Sequence, residues 1–417
     1  MERPRIVIIG AGFGGMYAAH RLLPQVKAGE ISLTLINRTN YFLFTPLLHE
    51  VATGGLSPTS VTEPLREIFA KTGVRICQGE VEAIDTGKRL ISIPSEDIPY
   101  DYAVVATGAD TNYYGIAGAE ARGLPLKSLR DAVRIREAVI EAFERAARAM
   151  DPEIRARQLS FVVVGGGATG VEVAAELLEF AYGMERRYHR GASLGRKEDI
   201  SITLLSAAPE LLMQFHPALR RAASERLKRQ GIEVRLNAVV TAVEVGRILF
   251  ADGSEIPAAT VIWTAGVKPE LPRFLGEASS VSKGRIRTDR FLQAVGDERL
   301  FVLGDAASVE TAAWEPPLPM LAQVAVAQAD VIARNVMAAV RGGTKTAFQY
   351  RSKGSLVSLG QWFAVGEILN VRMSGRLAWW VWRTVYLFKF VSWKKRWRIA
   401  FEWTINLFSP RDITKLD

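Results

Sequence analysis

Short apolar runs closed by glycine alternate with longer amphipathic stretches through most of this chain, the pattern of buried strands returned by crossover helices. Arg5 to Ile9 and Leu33 to Ile36 read as strands around a helix that opens at Gly12. Asn40 to Pro58 is aromatic, then rich in Gly and Pro, which predicts a loop with short helical turns. Further strands are expected at Val74 to Cys77, Glu80 to Asp85 and Leu90 to Ile93, and Tyr100 to Gly108 runs off a buried strand into a turn. An amphipathic helix follows from about Leu129 to Met150 and stops before Asp151-Pro152.

From Phe161 the plan repeats. A strand to Val164, a helix through Leu178, a strand Ile200 to Leu205 and a closing run Thr260 to Gly266 copy the first unit, with Gly183 to Glu198 read as a charged surface insertion. Leu300 to Asp305 is a strand ending in an acid, and a helix-prone stretch runs on to Val340. Each apolar run that opens a unit turns into glycines at fixed spacing: Gly10-x-Gly12-x-x-Gly15 and Gly165-x-Gly167-x-x-Gly170. Strand, glycines and Ala-rich helix supply a tight turn, a backbone that can approach pyrophosphate, and a helix N-terminus to hold its charge. Two such turns imply two dinucleotides in one protein, and face to face they carry hydride between a nicotinamide and a flavin.

Composition narrows the partners. The 417 residues carry a formal charge of +9, and from Arg372 to Asp417 ten basic residues stand against three acidic ones, which concentrates +7 in the tail. Six of the nine tryptophans lie there too (Trp379, Trp380, Trp382, Trp393, Trp397, Trp403), which argues for a lipid surface rather than an acidic docking protein, and no nucleic acid partner is expected. Cys77 is the only cysteine, so intrachain disulfides and dithiol redox centres are excluded, and its alternating strand predicts a packed thiol. His20, His49, His189 and His216 have no ligand spacing and read as structural or surface residues, with no metal expected. The start of the chain carries no export signal, and no uncharged apolar stretch reaches the roughly 18 to 20 residues of a membrane span.

The motifs Gly10-Ala-Gly-Phe-Gly-Gly15, Asn40 to Gly54, Ala106-Thr-Gly108, Gly165-Gly-Gly-Ala-Thr-Gly-Val-Glu172, Gly304-Asp305, Ala322-Gln323 and Phe408 to Leu416 together resemble the two-dinucleotide-binding flavoprotein reductases, and within them the type II NADH:quinone oxidoreductases. The resemblance covers essentially the whole chain. It implies an α/β fold of two Rossmann-like dinucleotide-binding domains, glutathione-reductase-like, plus a C-terminal helical membrane-docking segment. The FAD domain is expected at 1–115 and 268–345, a helical connection at 116–158, the NAD(P)H domain at 159–267, and an amphipathic membrane-associating region at 346–417.

The same resemblance assigns roles. Gly10, Gly12, Phe13, Gly14, Gly15, Thr107, Gly108, Gly304, Asp305, Ala322 and Gln323 would hold FAD, and Val81 would offer main-chain contacts to its adenine. Asn37 and Arg38 end the second strand where the adenosine ribose should lie; Asn37 replaces the usual acid there, and a carboxamide can still bond a hydroxyl. Gly165, Gly167, Ala168, Thr169, Gly170, Glu172, Ser206 and Gly266 would hold NADH, with Glu172 accepting a bond from the nicotinamide amide. The second strand of that unit ends at Ser206 instead of an acid, so NADH is expected to be preferred with measurable NADPH use, Glu210 being the other candidate guard of the ribose.

Gln323 and Gln328 are the quinone candidates. The family places a pair of glutamines at i and i+4, but position 327 is Ala, and Gln328 sits about a hundred degrees further round the helix. The implied enzyme passes electrons from NADH through FAD to quinone in two half-reactions, without proton pumping, as a peripheral protein on the cytoplasmic face of the membrane. The tail helix Trp397 to Phe408 has an interfacial pattern, and Leu377 to Phe390 should lie shallow in the membrane surface or pair in a homodimer. Removal of 375–417 is expected to release the protein from lipid and spare turnover of water-soluble quinones. A sulfide:quinone or disulfide-reducing flavoprotein needs thiolates that one cysteine cannot supply; a soluble ferredoxin or rubredoxin reductase and a non-catalytic redox sensor remain as alternatives.

Overall fold

The computed structural model describes residues 3–188, 197–275, 281–282, 284–310, 318–390, 392–409 and 411–415. His189 and the interior of the expected insertion lie outside them. The chain divides into two compact units: Met1–Leu43, Thr62–Asp110 and Val267–Ser352 form one, and Phe44–Val61, Thr111–Gly266 and Lys353–Asp417 the other.

The first unit is built on parallel strands in the order Arg75–Gln78, Ser32–Asn37, Arg5–Ile9, Tyr102–Val105 and Asp297–Val302. Ile6, Val7, Ile8 and Ile9 are all buried, as a central parallel strand covered on both faces requires. Strand order reverses direction beside Arg5–Ile9, and that is where the first glycine turn leaves the sheet. Helix Phe13–Arg21 packs against Ala322–Arg341. Cys77 lies in the core with Ile36, Ile84 and Ile91, and burial pushes its thiol pKa up, so the packed-thiol reading stands.

The second unit repeats the plan with parallel strands Gly123–Pro125, Thr260–Trp263, Ser160–Val164, Ser201–Leu205 and Glu233–Arg235 in that order. Helix Leu129–Arg148 begins with a capping box: Asp131 N donates to Ser128 Oγ at 3.1 Å, and Ser128 N to Asp131 Oδ2 at 2.8 Å. The helix Leu48–Ala52, from the predicted loop, belongs to this unit and packs on that long helix.

The tail departs from the sequence reading. Gly354–Ser358, Ala364–Ile368 and Val371–Gly375 form a three-stranded antiparallel sheet ahead of the helices Arg376–Phe388 and Trp393–Ile405. Trp379, Trp382, Phe390, Ile399 and Trp403 are at most 4 % exposed, so both helices complete the core of the second unit. Glu402 accepts from Ser57 N at 3.1 Å and Ser60 Oγ at 2.6 Å. Removing 375–417 would therefore uncover that core and unfold the unit instead of merely detaching it from lipid.

Candidate active site

The first glycine turn is defined by what it excludes. Gly10 has φ +96°, and a Cβ there would overlap the Ala106 carbonyl; a Cβ at Gly15 would fall on the Gly10 carbonyl oxygen, and one at Gly14 on the Leu303 side chain. Gly12, in contrast, faces open space at the start of helix Phe13–Arg21. The turn is thus as tight as a backbone allows on the protein side and clear on the side where a pyrophosphate would approach, which fits FAD.

Asn37 braces this turn. Its Oδ1 accepts from Ala11 N at 2.9 Å, and its Nδ2 donates to Thr39 O at 2.9 Å and Thr39 Oγ1 at 3.0 Å, so the carboxamide is engaged at both ends within the protein. Arg38 reaches Glu270 through both guanidinium nitrogens, at 2.6 and 2.9 Å, and Thr107 Oγ1 donates to the Glu270 carbonyl at 2.5 Å. Gly108 takes φ +78°, and Val81 is half-buried against the core. At the end of strand Asp297–Val302, Gly304 (φ +68°) opens a short turn through Asp305, and Gly304 N donates to Gln328 Oε1 at 2.6 Å. Gln328 is buried, whereas Gln323, beside Ala322 in the first turn of its helix, is half-buried and accepts from the Tyr350 hydroxyl at 3.2 Å.

The second turn has the same construction. Gly165 (φ +129°) lies against Thr264, where a Cβ would stand 2.6 Å from Oγ1. A Cβ at Gly170 would fall on the Gly165 carbonyl oxygen, and Gly167 faces open space before Ala168 and Thr169 start the helix. Ser206 is buried and accepts from Ala208 N at 3.2 Å, Gly266 O accepts from Asn112 N at 3.0 Å, and Glu210 is paired with Arg220.

Beyond the turn lies a feature the sequence reading did not anticipate. Glu172, Glu176 and Glu179 follow one face of the helix Ala168–Tyr188 into the protein. Glu172 accepts from Ser358 N at 3.2 Å, and His49 Nδ1 lies 3.7 Å from its carboxylate, while His49 Nε2 has no partner. Glu50 accepts from Trp403 Nε1 at 2.6 Å. Arg411 closes the cluster, with Nη2 on Glu176 and 2.9 Å from Glu179 Oε2. Burial raises Glu172 well above the carboxylate range and pushes Glu50 and Glu179 up to about 7. Burial would raise Glu176 too, but Arg411 and His49 beside it carry it below the usual value. The His49 imidazole is pushed down to about 4 by burial. A signal was present in the sequence: three glutamates at i, i+4 and i+7 among Val171, Val173, Ala174, Leu177 and Leu178, all buried, cannot be a solvated face.

These pKa values make stability depend on pH. A carboxyl whose folded pKa is raised stabilises fully below its unfolded value near 4.5, and that contribution is lost as pH rises through about 7. His49 acts the other way: its contribution is present above 6.5 and is lost as pH falls through about 4. Three raised carboxyls, Glu50, Glu172 and Glu179, against one imidazole leave a net loss of stability from about pH 4.5 to 7. Thermal unfolding followed from pH 5 to 8 is expected to be flatter in Glu50→Gln than in the parent protein; equal slopes would remove Glu50 from this account.

The pyridine nucleotide-disulphide oxidoreductase family model matches residues 4–329, and the NDH2 C-terminal domain model matches residues 352–412. The chain is 35% identical over 426 residues to the type II NADH:quinone oxidoreductase Ndh of Mycobacterium tuberculosis, covering 98% of this chain and 89% of that protein. It is 34% identical to NdhA of the same organism, covering 97% and 87%. A solved structure of NDH2 from Plasmodium falciparum in complex with NADH matches in fold with a TM-score of 0.88 at 21% identity, covering 99% of this chain and all of that one.

Proposed function

The chain belongs to the pyridine nucleotide-disulphide oxidoreductases and, within them, to the type II NADH:quinone oxidoreductases, and from that premise we propose how its residues divide the work of moving electrons from NADH through FAD to a quinone. The observation that carries the division is the pair of glycine turns, one in each unit, each closed to a Cβ on the protein side and open at the helix start. FAD, when bound, supplies the chemistry of accepting a hydride and releasing two electrons. The turn Gly10 to Gly15 holds its pyrophosphate, with Asn37 fixing the shape of that turn rather than reaching for a ribose. Gly165 to Gly170 does the same for NADH.

Glu172, two residues past Gly170 and biased by burial toward its neutral form, orients the nicotinamide amide, since a neutral carboxyl can both donate and accept. Gln323, held by the Tyr350 hydroxyl, is the quinone-facing residue. Gln328 takes a different part from the one its position suggests: its carbonyl braces Gly304 and so shapes the turn that carries Asp305.

Separate half-reactions test these roles. Glu172→Gln is expected to slow flavin bleaching by NADH, and Gln323→Ala to raise the quinone KM about tenfold, as loss of one hydrogen bond allows. Ala327→Gln should alter the quinone KM more than the NADH KM. Equal effects of Gln323→Ala on both half-reactions would refute the assignment, as the two substrates would then share a site. NADPH turnover is expected to be measurable, because no acid ends the strand at Ser206 and Glu210 is neutralised by Arg220.

The protein docks on the cytoplasmic leaflet through its tail. No helix among the described residues is long and apolar enough to cross a membrane. Trp393, Trp397, Phe401 and Phe408 are 66, 71, 67 and 86 % exposed, and the first three repeat at i, i+4 and i+8 on one helix face with Lys394 and Arg398 exposed beside them. An aromatic stripe with cations fits a lipid surface better than the acidic carrier protein of a ferredoxin reductase.

A further inference from the structure

Three buried carboxyl groups, on Glu50, Glu172 and Glu176, and the half-buried one of Glu179 share the second unit with two half-buried guanidinium groups, on Arg383 and Arg411. Four ionised carboxylates would outnumber the two cations set among them, so the cluster favours holding protons. Its two cations are not equivalent. Arg383 lies between Trp379 and Trp403, 3.9 and 4.8 Å from their rings, and acts at a distance. Arg411 is bonded into the cluster: Nη1 donates to Thr53 Oγ1 at 2.9 Å and to the Thr53 and Glu176 carbonyls at 3.3 Å, and Nη2 to the Glu176 and Glu179 carboxylates.

Arg411 also comes from beyond the last helix. The backbone around it crosses Gly54 (φ +68°), where a Cβ would stand 2.7 Å from the Asp412 carbonyl oxygen. Asp412 then lies 3.8 Å from the buried Arg136, and Lys415 Nζ 2.9 Å from Glu141, both on the helix Leu129–Arg148. The segment that follows the exposed aromatic stripe is therefore fastened to the two long helices of the nicotinamide-binding unit, chiefly by one guanidinium.

We propose that Arg411 is a latch: it pins the end of the docking tail into the nicotinamide-binding unit and supplies the counter-charge on which the ionisation of the glutamates behind Glu172 depends, which makes it a positioning residue for flavin reduction by NADH. The proposal rests on the reading of Glu172 given above. The groups that face Arg411 are Glu176 and Glu179 on the helix Ala168–Tyr188, Glu50 and His49 on Leu48–Ala52, and Arg383 on Arg376–Phe388; Arg226 of Pro217–Gln230 also acts on Glu179. Without Arg411, Glu176 loses the cation that holds it ionised, and the cluster takes up a proton. Local order and local charge then change together: a tail that lets go alters the environment of Glu172, and a change in that environment alters how firmly the tail is held.

The test uses full-length, FAD-loaded protein. Arg411→Met should speed trimming of the C-terminus by carboxypeptidase at least tenfold. It should also move the midpoint of the pH profile of flavin reduction by NADH upward by about one unit, the usual effect of removing an arginine beside a carboxylate. Adding Glu176→Gln to Arg411→Met removes the orphaned carboxylate and should return the midpoint to its parental value while leaving trimming fast. Arg411→Lys keeps the charge without the planar fork, so trimming should rise with little change in midpoint. An unmoved midpoint in Arg411→Met, or a double variant that fails to restore it, overturns the proposal. If Arg411→Met does not fold, the charge-balanced double variant should, and its failure to fold overturns the proposal equally. Trimming is independent of nicotinamide chemistry, so an error in the reading of Glu172 would appear as normal flavin reduction in Glu172→Gln with the trimming contrast intact, whereas an error in the latch abolishes the contrast.

Discussion

Gly170→Ala is expected to purify yellow and remain yellow when NADH is added, whereas Gly15→Ala is expected to purify without its flavin. The two substitutions are chemically identical and occupy the same step of two copies of one motif. In each, the new Cβ would fall on the carbonyl oxygen of the glycine that opens the turn, Gly165 or Gly10, so the backbone must move by a large part of a van der Waals radius. That movement widens the turn whose N–H groups approach the pyrophosphate. A loss of about 3 kcal/mol in ligand binding, ordinary for overpacking at a rigid site, corresponds to more than a hundredfold in affinity.

Gly12→Ala and Gly167→Ala are the controls. A Cβ at either meets nothing within 4 Å, so the protein should keep its thermal stability while ligand binding falls. Flavin content is read from the visible-to-ultraviolet absorbance ratio, and bleaching by stopped flow. Stoichiometric flavin in Gly15→Ala, or bleaching of Gly170→Ala at the parental rate, would show that the turns do not hold the two dinucleotides as assigned.

The parts of this protein that were legible in the sequence are those governed by short-range rules. A glycine spacing after an apolar run reports a local clash, and Gly10 and Gly165 behave as that spacing requires. The amphipathic run from about Leu129 reports a helix, and the helix duly starts there. What was not legible depends on which apolar surface meets which. Trp379, Trp382 and Trp403 carry the same side chain as Trp393 and Trp397, yet the first three are core and the last two are exposed. Helical spacing separates the faces of a helix but does not say whether the apolar face meets lipid or protein.

The antiparallel strands from Gly354 to Gly375 were hidden for a related reason. They were subsumed in a tail defined by its charge and tryptophan content, although Leu356-Val357-Ser358 and Ala364-Val365 are ordinary sheet formers. The polar residues were harder still. Asn37 and Gln328 stand where the family motif suggests ligand contacts, but their amide groups are bonded to Ala11 N, Thr39 and Gly304 N, partners that only the folded chain brings together.

The tail itself supplies the last expectation. Replacing Trp397 and Phe401 with serine is expected to weaken binding to anionic vesicles roughly 10- to 150-fold. Full burial of an aromatic ring in an apolar medium contributes about 1.5–3 kcal/mol, and roughly half of that for a ring seated at the headgroup level, so two rings contribute about 1.5–3 kcal/mol in all. Both side chains are more than two-thirds exposed, and neither supports the core beneath, which is built from Ile399 and Trp403 on the opposite face. Thermal stability and turnover of a water-soluble quinone should therefore hold at parental values while turnover of a long-chain quinone in liposomes collapses. Lys394 and Arg398 would add about 1 kcal/mol each at low salt, so the parent protein should also loosen as ionic strength rises. A double variant that sediments with vesicles as fully as the parent would show that the stripe is not the anchor. A variant that binds vesicles normally but passes from dimer to monomer in their absence would instead assign the stripe to a second copy of the chain. The discrimination rests on one structural fact: the two helices carry different aromatic residues on their two faces, so the lipid-facing set can be removed without touching the set that holds the fold.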